Sequence, residues 1–342
     1  MTEDTTRPVV VFLPAPHPSG RIFTPQTRAA LEAEFDVVDV EAEPQRVDER
    51  LGDAFAIVGQ PDLPRARLDA APHLRAVLNV EGNFYPNVDY AACFARGIHV
   101  LGCGPAYAQA VAEFSLGLTI DLARGISRED RAFRAGRERY VADGTTDSIL
   151  LRGADVGLIG FGNLGRALRP LLDPFRCTVR CYDPWLPDAT LAQHGVEAVS
   201  LPDLLRTSRF VFVLATVTAE SEHLLGAREL ALLPPGARLV LVSRAPVVDF
   251  EALLDRVESG ALLAAVDVWP SEPMPAEHRA RALEGLVLSP HRAGGIPAAF
   301  REVGQMVLDD LRLIARGLPP VRMQVATPEL VGRYRNRPVS TG

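Results

Sequence analysis

The hexapeptide Gly160-Phe161-Gly162-Asn163-Leu164-Gly165 limits what this chain can fold into more than any other stretch. A G-x-G-x-x-G alone is weak, because glycine-rich turns are common. Here the apolar run Val156-Gly157-Leu158-Ile159 leads into it, and Leu164-Gly165-Arg166-Ala167-Leu168 opens a helical pattern. The next apolar run, residues 178–182, ends at Asp183. That is near the spacing of about 20 residues at which an acidic residue meets a ribose in dinucleotide folds. In this context Gly160 permits the tight turn, Gly162 lets a pyrophosphate approach the backbone, and Gly165 lets helix and strand pack closely. Asn163 and Leu164 start the helix, whose free N–H groups and positive dipole end suit phosphates. Asp183 can accept from the adenosine ribose hydroxyls and would repel a 2′-phosphate, which favours NAD over NADP.

The rest of the chain repeats the strand–helix alternation that builds parallel α/β sheets. A first series of strands is expected at residues 9–13, 37–40, 55–59, 75–80 and 98–101. A second is expected at 156–160, 178–182, 210–214, 238–242, 264–268 and 287–289. Their apolar runs are nearly continuous, as strands covered by helices on both faces require. Two long amphipathic patterns, residues 106–124 and 297–316, are expected to carry the chain between two domains. The length of 342 residues suits two cores. We therefore expect two doubly wound parallel-sheet domains, a Rossmann NAD-binding domain at 105–292 inserted into a flavodoxin-like substrate domain at 1–104 and 293–342. The polar, Arg-rich segment 327–342 is expected to be loosely ordered, with no regulatory domain after the returning helix.

Composition removes several function classes. A net charge of -7 argues against nucleic acid as a partner. No apolar run approaches the roughly 18–20 residues of a membrane span, and Met1-Thr2-Glu3-Asp4 is unlike a secretory signal, so a cytoplasmic protein is expected. The four cysteines (Cys93, Cys103, Cys177, Cys181) lack C-x-x-C spacing and read as packing residues, with no metal site expected. Every residue of the Lys+Arg total is Arg, which excludes Schiff-base chemistry on lysine and a Walker-A nucleotidase with its usual Lys.

A second constellation follows the dinucleotide turn. Arg244, Asp267, Glu272 and His291 each lie just past the carboxyl end of an expected strand, the edge where open α/β sheets bind ligands. The order of G-x-G-x-x-G, Asp183, Arg244 with Val248-Asp249, Asp267-Val268-Trp269-Pro270-Ser271-Glu272-Pro273 and Pro290-His291-Arg292-Ala293-Gly294 resembles the NAD-dependent D-2-hydroxyacid dehydrogenases. The resemblance covers about residues 75–315, with Val88-Asp89 and Val111-Ala112-Glu113 similar to that family's junction between domains. Such an enzyme moves a hydride between NAD(H) and a small D-2-hydroxy acid / 2-keto acid pair, here hydroxypyruvate, glyoxylate or a related acid. The chemistry stands without the family. Arg244 can fork onto carboxylate and carbonyl oxygen, and His291 can give the carbonyl its proton. Glu272 can bond the imidazole, fix its tautomer and favour its charged form. The resemblance assigns the same three roles, and further implies Asp267 beside the nicotinamide amide and Glu81, Gly82 and Asn83 at the substrate. It also implies cofactor contacts at Thr216, Ser243 and Gly294, and a homodimer through the cofactor domain with residues 127–139 as an arm. A solvated helix face fits that charged stretch equally well.

Several positions depart from the family's pattern. Ala245 stands where a glycine usually follows the arginine, so a positive φ there would be strained by around 1 kcal/mol or more. Leu241 replaces the usual Asn, and Gly104-Pro105 reverses the usual order. The loop 79–87 is longer than usual and carries Glu81, Phe84 and Tyr85. Glu81 takes the place of a lysine in the related phosphite dehydrogenases, which argues against phosphite. His17, after the first strand, stays open as a cleft residue, whereas His73, His99, His194, His223 and His278 have no such context. The alternative reading is an NAD(H)-sensing, corepressor-like protein with little turnover. Formate oxidation fits less well, because that relative pairs its His with Gln where Glu272 stands here.

Overall fold

The computed structural model describes residues 7–335. Chain contacts divide it into two compact units. The first runs to Tyr107 and resumes at Gly295; the second is Ala108–Gly294.

In the first unit, β1 (Val9–Leu13), β2 (Asp36–Asp39), β3 (Ala54–Gly59), β4 (Ala76–Leu78) and β5 (His99–Gly102) pair in the order β5-β4-β3-β1-β2, all parallel. This is the flavodoxin-like order, and it reverses direction between β1 and β3. A two-residue strand, Gln324–Val325, adds antiparallel to β5. Alternation along β1 explains the apolar run: Val10 and Phe12 enter one core and Val11 and Leu13 the other. Both faces are thus buried, and no residue of the run is free to be polar.

The second unit contains β6 (Asp155–Ile159), β7 (Thr178–Tyr182), β8 (Glu197–Ala198), β9 (Phe210–Val213), β10 (Ala237–Leu241), β11 (Leu262–Val266) and β12 (Leu286–Leu288). Their order, β12-β11-β10-β9-β6-β7-β8, is the Rossmann arrangement with its switch between β6 and β9. Phe210 and Phe212 pack on one face of this sheet, and Val211 and Val213 on the other. The two expected sheets are therefore present. The short edge strands Glu197–Ala198 and Gln324–Val325 were not anticipated, since two residues carry no readable period.

Two expectations need correction. The helix Gly104–Arg124 crosses from one unit to the other, but Pro297–Ala315 lies wholly in the first. The return therefore occurs in the loop at Gly294 and Gly295, before that helix begins. The described part of the segment expected to be loose, residues 327–335, is also built in: Thr327 caps the short helix Pro328–Val331, and Tyr334 stacks on Phe84 with ring centroids 6.1 Å apart. Residues 336–342, and the acidic start at Met1-Thr2-Glu3-Asp4, lie outside the described residues. Among the described residues, no helix is long and apolar enough to cross a membrane.

Candidate active site

The glycine turn sits where β6 gives way to the helix Asn163–Leu172. Gly160 has a φ of +92°, and a Cβ there would lie 2.9 Å from the Ala215 nitrogen, so only glycine lets the loop after β6 pass the loop after β9. Gly165 faces the Gly160 carbonyl, which a Cβ would approach to 3.0 Å. Gly162 has open space beside it, with nothing within 4 Å of an added Cβ. Asp183, past the end of β7, accepts from the Phe161 N–H at 2.8 Å and the Trp185 N–H at 2.9 Å. Its carboxylate is thereby aimed at the turn, and each oxygen keeps a lone pair for a ribose hydroxyl. Thr216 follows β9, and its carbonyl accepts from Ser221 Oγ at 2.6 Å. Ser243, past β10, is 4% exposed, and its hydroxyl has no partner among the described residues. An open glycine turn, an oriented carboxylate and an orphaned buried hydroxyl on one sheet edge fit a dinucleotide.

Arg244, half-buried, lies past the end of β10 on extended backbone, φ -149° and ψ 137°, and its Nη1 donates to the Ser243 carbonyl at 2.7 Å. It makes no ion pair among the described residues, which leaves a cation available for an anion. The strain expected at Ala245 does not arise: it opens a short 3₁₀ turn, Ala245–Val247, and is absent from the positive-φ residues. Leu241 is fully buried in β10 against Val213 and Val266, so the departure from Asn is absorbed by the core.

Glu272 and His291 come from the loops after β11 and β12. The His291 Nδ1 lies 2.7 Å from Glu272 Oε2, while Glu272 Oε1 accepts from the Trp269 N–H at 2.9 Å. Burial alone would push the Glu272 carboxyl up. The bonds from His291 and Trp269, helped by the Arg244 charge, outweigh it and hold the group below its ordinary value. The side chains are 30% exposed for His291 and 18% for Glu272, so the imidazole stays partly accessible.

Asp267, expected beside the nicotinamide amide, is buried under the turn that carries His291. Its carboxylate accepts from the Ser289 hydroxyl, the Arg292 N–H at 3.0 Å and the Ala293 N–H at 3.1 Å, and its carbonyl from the His291 N–H at 2.8 Å. That cage holds His291 at a φ of +48°, a left-handed conformation that a histidine rarely adopts unaided. Trp269 was not singled out in the sequence, yet its indole also ties the Ser289 carbonyl at 2.7 Å. Gly294, half-buried, closes this turn and ends the second unit. Among the described residues, no group of three or more His, Cys, Asp or Glu is placed to hold a metal ion.

In the first unit, Glu81-Gly82-Asn83 follow β4. The Glu81 carbonyl accepts from the Cys103 N–H at 3.1 Å, and a Cβ on Gly82 would come within 3.2 Å of the Gly104 Cα. Asn83 is half-buried. Phe84 and Tyr85 turn inward: Phe84 packs between Tyr334 and the edge of Tyr90, and the Tyr90 hydroxyl donates to the Tyr85 carbonyl at 2.7 Å. They anchor the long loop. Gly104-Pro105 opens the helix Gly104–Arg124, where a proline's missing N–H costs nothing. His17 packs 4.8 Å from the Phe300 ring, and burial holds its imidazole below the ordinary value against the pull of Glu81. Gln60, past β3, donates from Nε2 to Glu81 Oε2 at 2.7 Å. Sequence reasoning missed Gln60; its place after a switch-point strand was the available signal.

A family model described as D-isomer specific 2-hydroxyacid dehydrogenase, NAD binding domain, matches residues 116–293. The chain belongs to that family, and is an NAD-dependent dehydrogenase. Glyoxylate reductase of Thermofilum pendens is 30% identical over 263 residues, covering 74% of this chain and 76% of that protein. D-3-phosphoglycerate dehydrogenase of Mycobacterium leprae is 32% identical over 251 residues, 73% of this chain but 47% of that one. The crystal structure of a phosphoglycerate oxidoreductase from Rhizobium etli shares 44% identity, with 94% of this chain and 99% of that chain covered at a TM-score of 0.85.

Proposed function

We propose that the chain interconverts a small 2-keto acid and its D-2-hydroxy acid, with Arg244, Glu272 and His291 as the catalytic residues. The observation that carries this reading is the 2.7 Å contact between His291 Nδ1 and Glu272 Oε2. It commits Nδ1 to the carboxylate and leaves Nε2 as the nitrogen that exchanges a proton with substrate oxygen. In reduction, His291 gives that proton while Glu272, held ionised, offsets the imidazolium charge. Arg244 anchors the substrate carboxylate and polarises the carbonyl. NAD(H) held at the glycine turn and Asp183 would supply or accept the hydride at C2. Asp267 acts as a positioning residue through the turn it cages.

Gly160, Gly162, Asn163, Leu164, Gly165, Asp183, Thr216, Ser243 and Gly294 are our assigned cofactor contacts, and Glu81, Gly82 and Asn83 our assigned substrate contacts. Glyoxylate and hydroxypyruvate are the substrates to test first. NADH oxidation followed at 340 nm across a panel of 2-keto acids tests the reading. No turnover, with NADH still bound, would favour the NAD(H)-sensing alternative.

Two assignments complete the proposal. A homodimer is supported by apolar side chains exposed on the arm and beside its ends, Phe133 at 61% within it and Ile126 at 56% and Val141 at 86% flanking it. Light scattering at twice the 37.0 kDa chain mass is expected. Cytoplasmic residence is supported by four free cysteines and an NAD-linked activity.

A further inference from the structure

We propose that the carboxyl edge of the first sheet recognises an uncharged, hydroxyl-bearing part of the substrate and turns away a phosphate or second carboxylate. The proposal rests on the 2-keto acid reading above and narrows it.

Topology supplies the place. The order of the first sheet reverses between β1 and β3, and ligands of open α/β sheets bind in the crevice at such a switch. His17 follows β1, Gln60 follows β3, and Glu81 lies shortly past β4. Three side chains with hydrogen-bonding capacity therefore collect on one edge.

Their bonding state supplies the chemistry. Gln60 Nε2 donates to Glu81 Oε2 at 2.7 Å, and this fixes the amide, because the flipped form would set its oxygen against the carboxylate. Gln60 Oε1 is consequently an acceptor, buried without a partner among the described residues. Glu81 Oε1 makes no hydrogen bond among them either. His17 Nδ1 is buried and unpartnered, and so are both amide atoms of Asn79, which is 0% exposed. Unsatisfied buried polar atoms are uncommon, and three side chains with them after strands of one unit, His17, Gln60 and Asn79, point to a missing polar ligand. The two acceptors, one of them charged, ask for a donor.

A hydroxyl fits because it donates to an acceptor and still accepts from a neutral imidazole or an amide N–H. Burial lowers the His17 imidazole's proton affinity, which disfavours a cation there. Arg21 is the guanidinium whose charge reaches His17, but it is exposed and lies over the Phe300 ring at 5.4 Å. A phosphate here would face the Glu81 carboxylate with a solvent-screened cation as its counterweight.

The test compares kcat/KM with NADH for hydroxypyruvate, pyruvate and 3-phosphohydroxypyruvate. Hydroxypyruvate should exceed pyruvate by about tenfold or more, with the phosphorylated acid lowest. Glu81→Gln should bring hydroxypyruvate and pyruvate within about threefold and raise the phosphorylated acid about tenfold relative to both. Gln60→Leu should lower hydroxypyruvate use and spare pyruvate, an independent route should Glu81→Gln not fold. Preference for the phosphorylated acid in the unaltered protein overturns the inference and leaves the 2-keto acid reading standing. Equal losses on all three acids in both variants also overturn it, because a merely structural role has that signature. No turnover of any acid, with NADH still bound by fluorescence, overturns the parent reading and this inference with it.

Discussion

At the carboxyl edge of the second sheet, Asp183, Asp267 and Glu272 each hold both carboxylate oxygens in hydrogen bonds. At the same edge of the first sheet, His17, Gln60 and Asn79 keep buried atoms with no partner. The difference follows what the proposed function asks of each set. Proton transfer and cofactor orientation are the same for every substrate, so their groups can be fixed in advance by the chain itself. Groups that read one particular substrate must stay unpaired until it arrives. Among the described residues, Arg244 makes no ion pair and the Ser243 hydroxyl has no partner, as their proposed roles toward substrate and cofactor require.

The sharpest way to break this contrast is to remove the proton donor. His291→Ala should lower kcat by about 10²–10⁴-fold while NADH affinity, measured by fluorescence titration, stays near that of the parent. Near-normal turnover would sink the mechanism. Asp183→Ser comes next: the unaltered protein should prefer NADH over NADPH by at least about tenfold, and the variant should lose most of that preference. Equal use of both cofactors by the unaltered protein would remove Asp183 from the cofactor site.

Glu272→Gln keeps the shape and removes the charge. The alkaline limb of the reduction profile should move to lower pH, because the imidazolium loses its counter-charge. Stability gives a second readout. The Glu272 carboxyl lies below its ordinary value, so it stabilises the fold fully above that ordinary value. This contribution is lost as pH falls through the lower, folded value. Urea titrations should show the variant less stable near about pH 7, with the gap closing toward about pH 3. A gap that widened in acid would mean that the carboxyl is not stabilised in its charged form. Asn79→Leu is the smallest expected effect: removing two unsatisfied buried groups should leave ligand-free stability unchanged or raise it by up to about 1 kcal/mol. A loss of several kcal/mol would show that Asn79 is already satisfied, for example by ordered water.

What could be read beforehand divides along similar lines. The strands were legible because double burial forces runs such as Phe210-Val211-Phe212-Val213, and Gly160 because its context demands a turn. Arg244, Glu272 and His291 were legible as residues past strand ends. Their support was not: that Asp267 cages the His291 turn depends on bonds reaching 22 to 26 residues along the chain. The left-handed backbone of His291 had no signal, since glycine is the usual marker and histidine stands there instead. Ala245 misled for the opposite reason. The loop adopts a conformation open to any residue, so a missing glycine carried no strain. Gln60 was invisible until the strand order placed it at a switch point.

Phe84 lies between Tyr90 and Tyr334, which come from either side of the second unit in sequence. The loop bearing Glu81 and the segment from Thr327 to Tyr334 are therefore a matched pair, although some 240 residues separate them. Anyone retargeting this scaffold by grafting the loop from a relative would have to transplant the late segment as well. A graft of the loop alone would bring an aromatic side chain to a socket cut for a different ring.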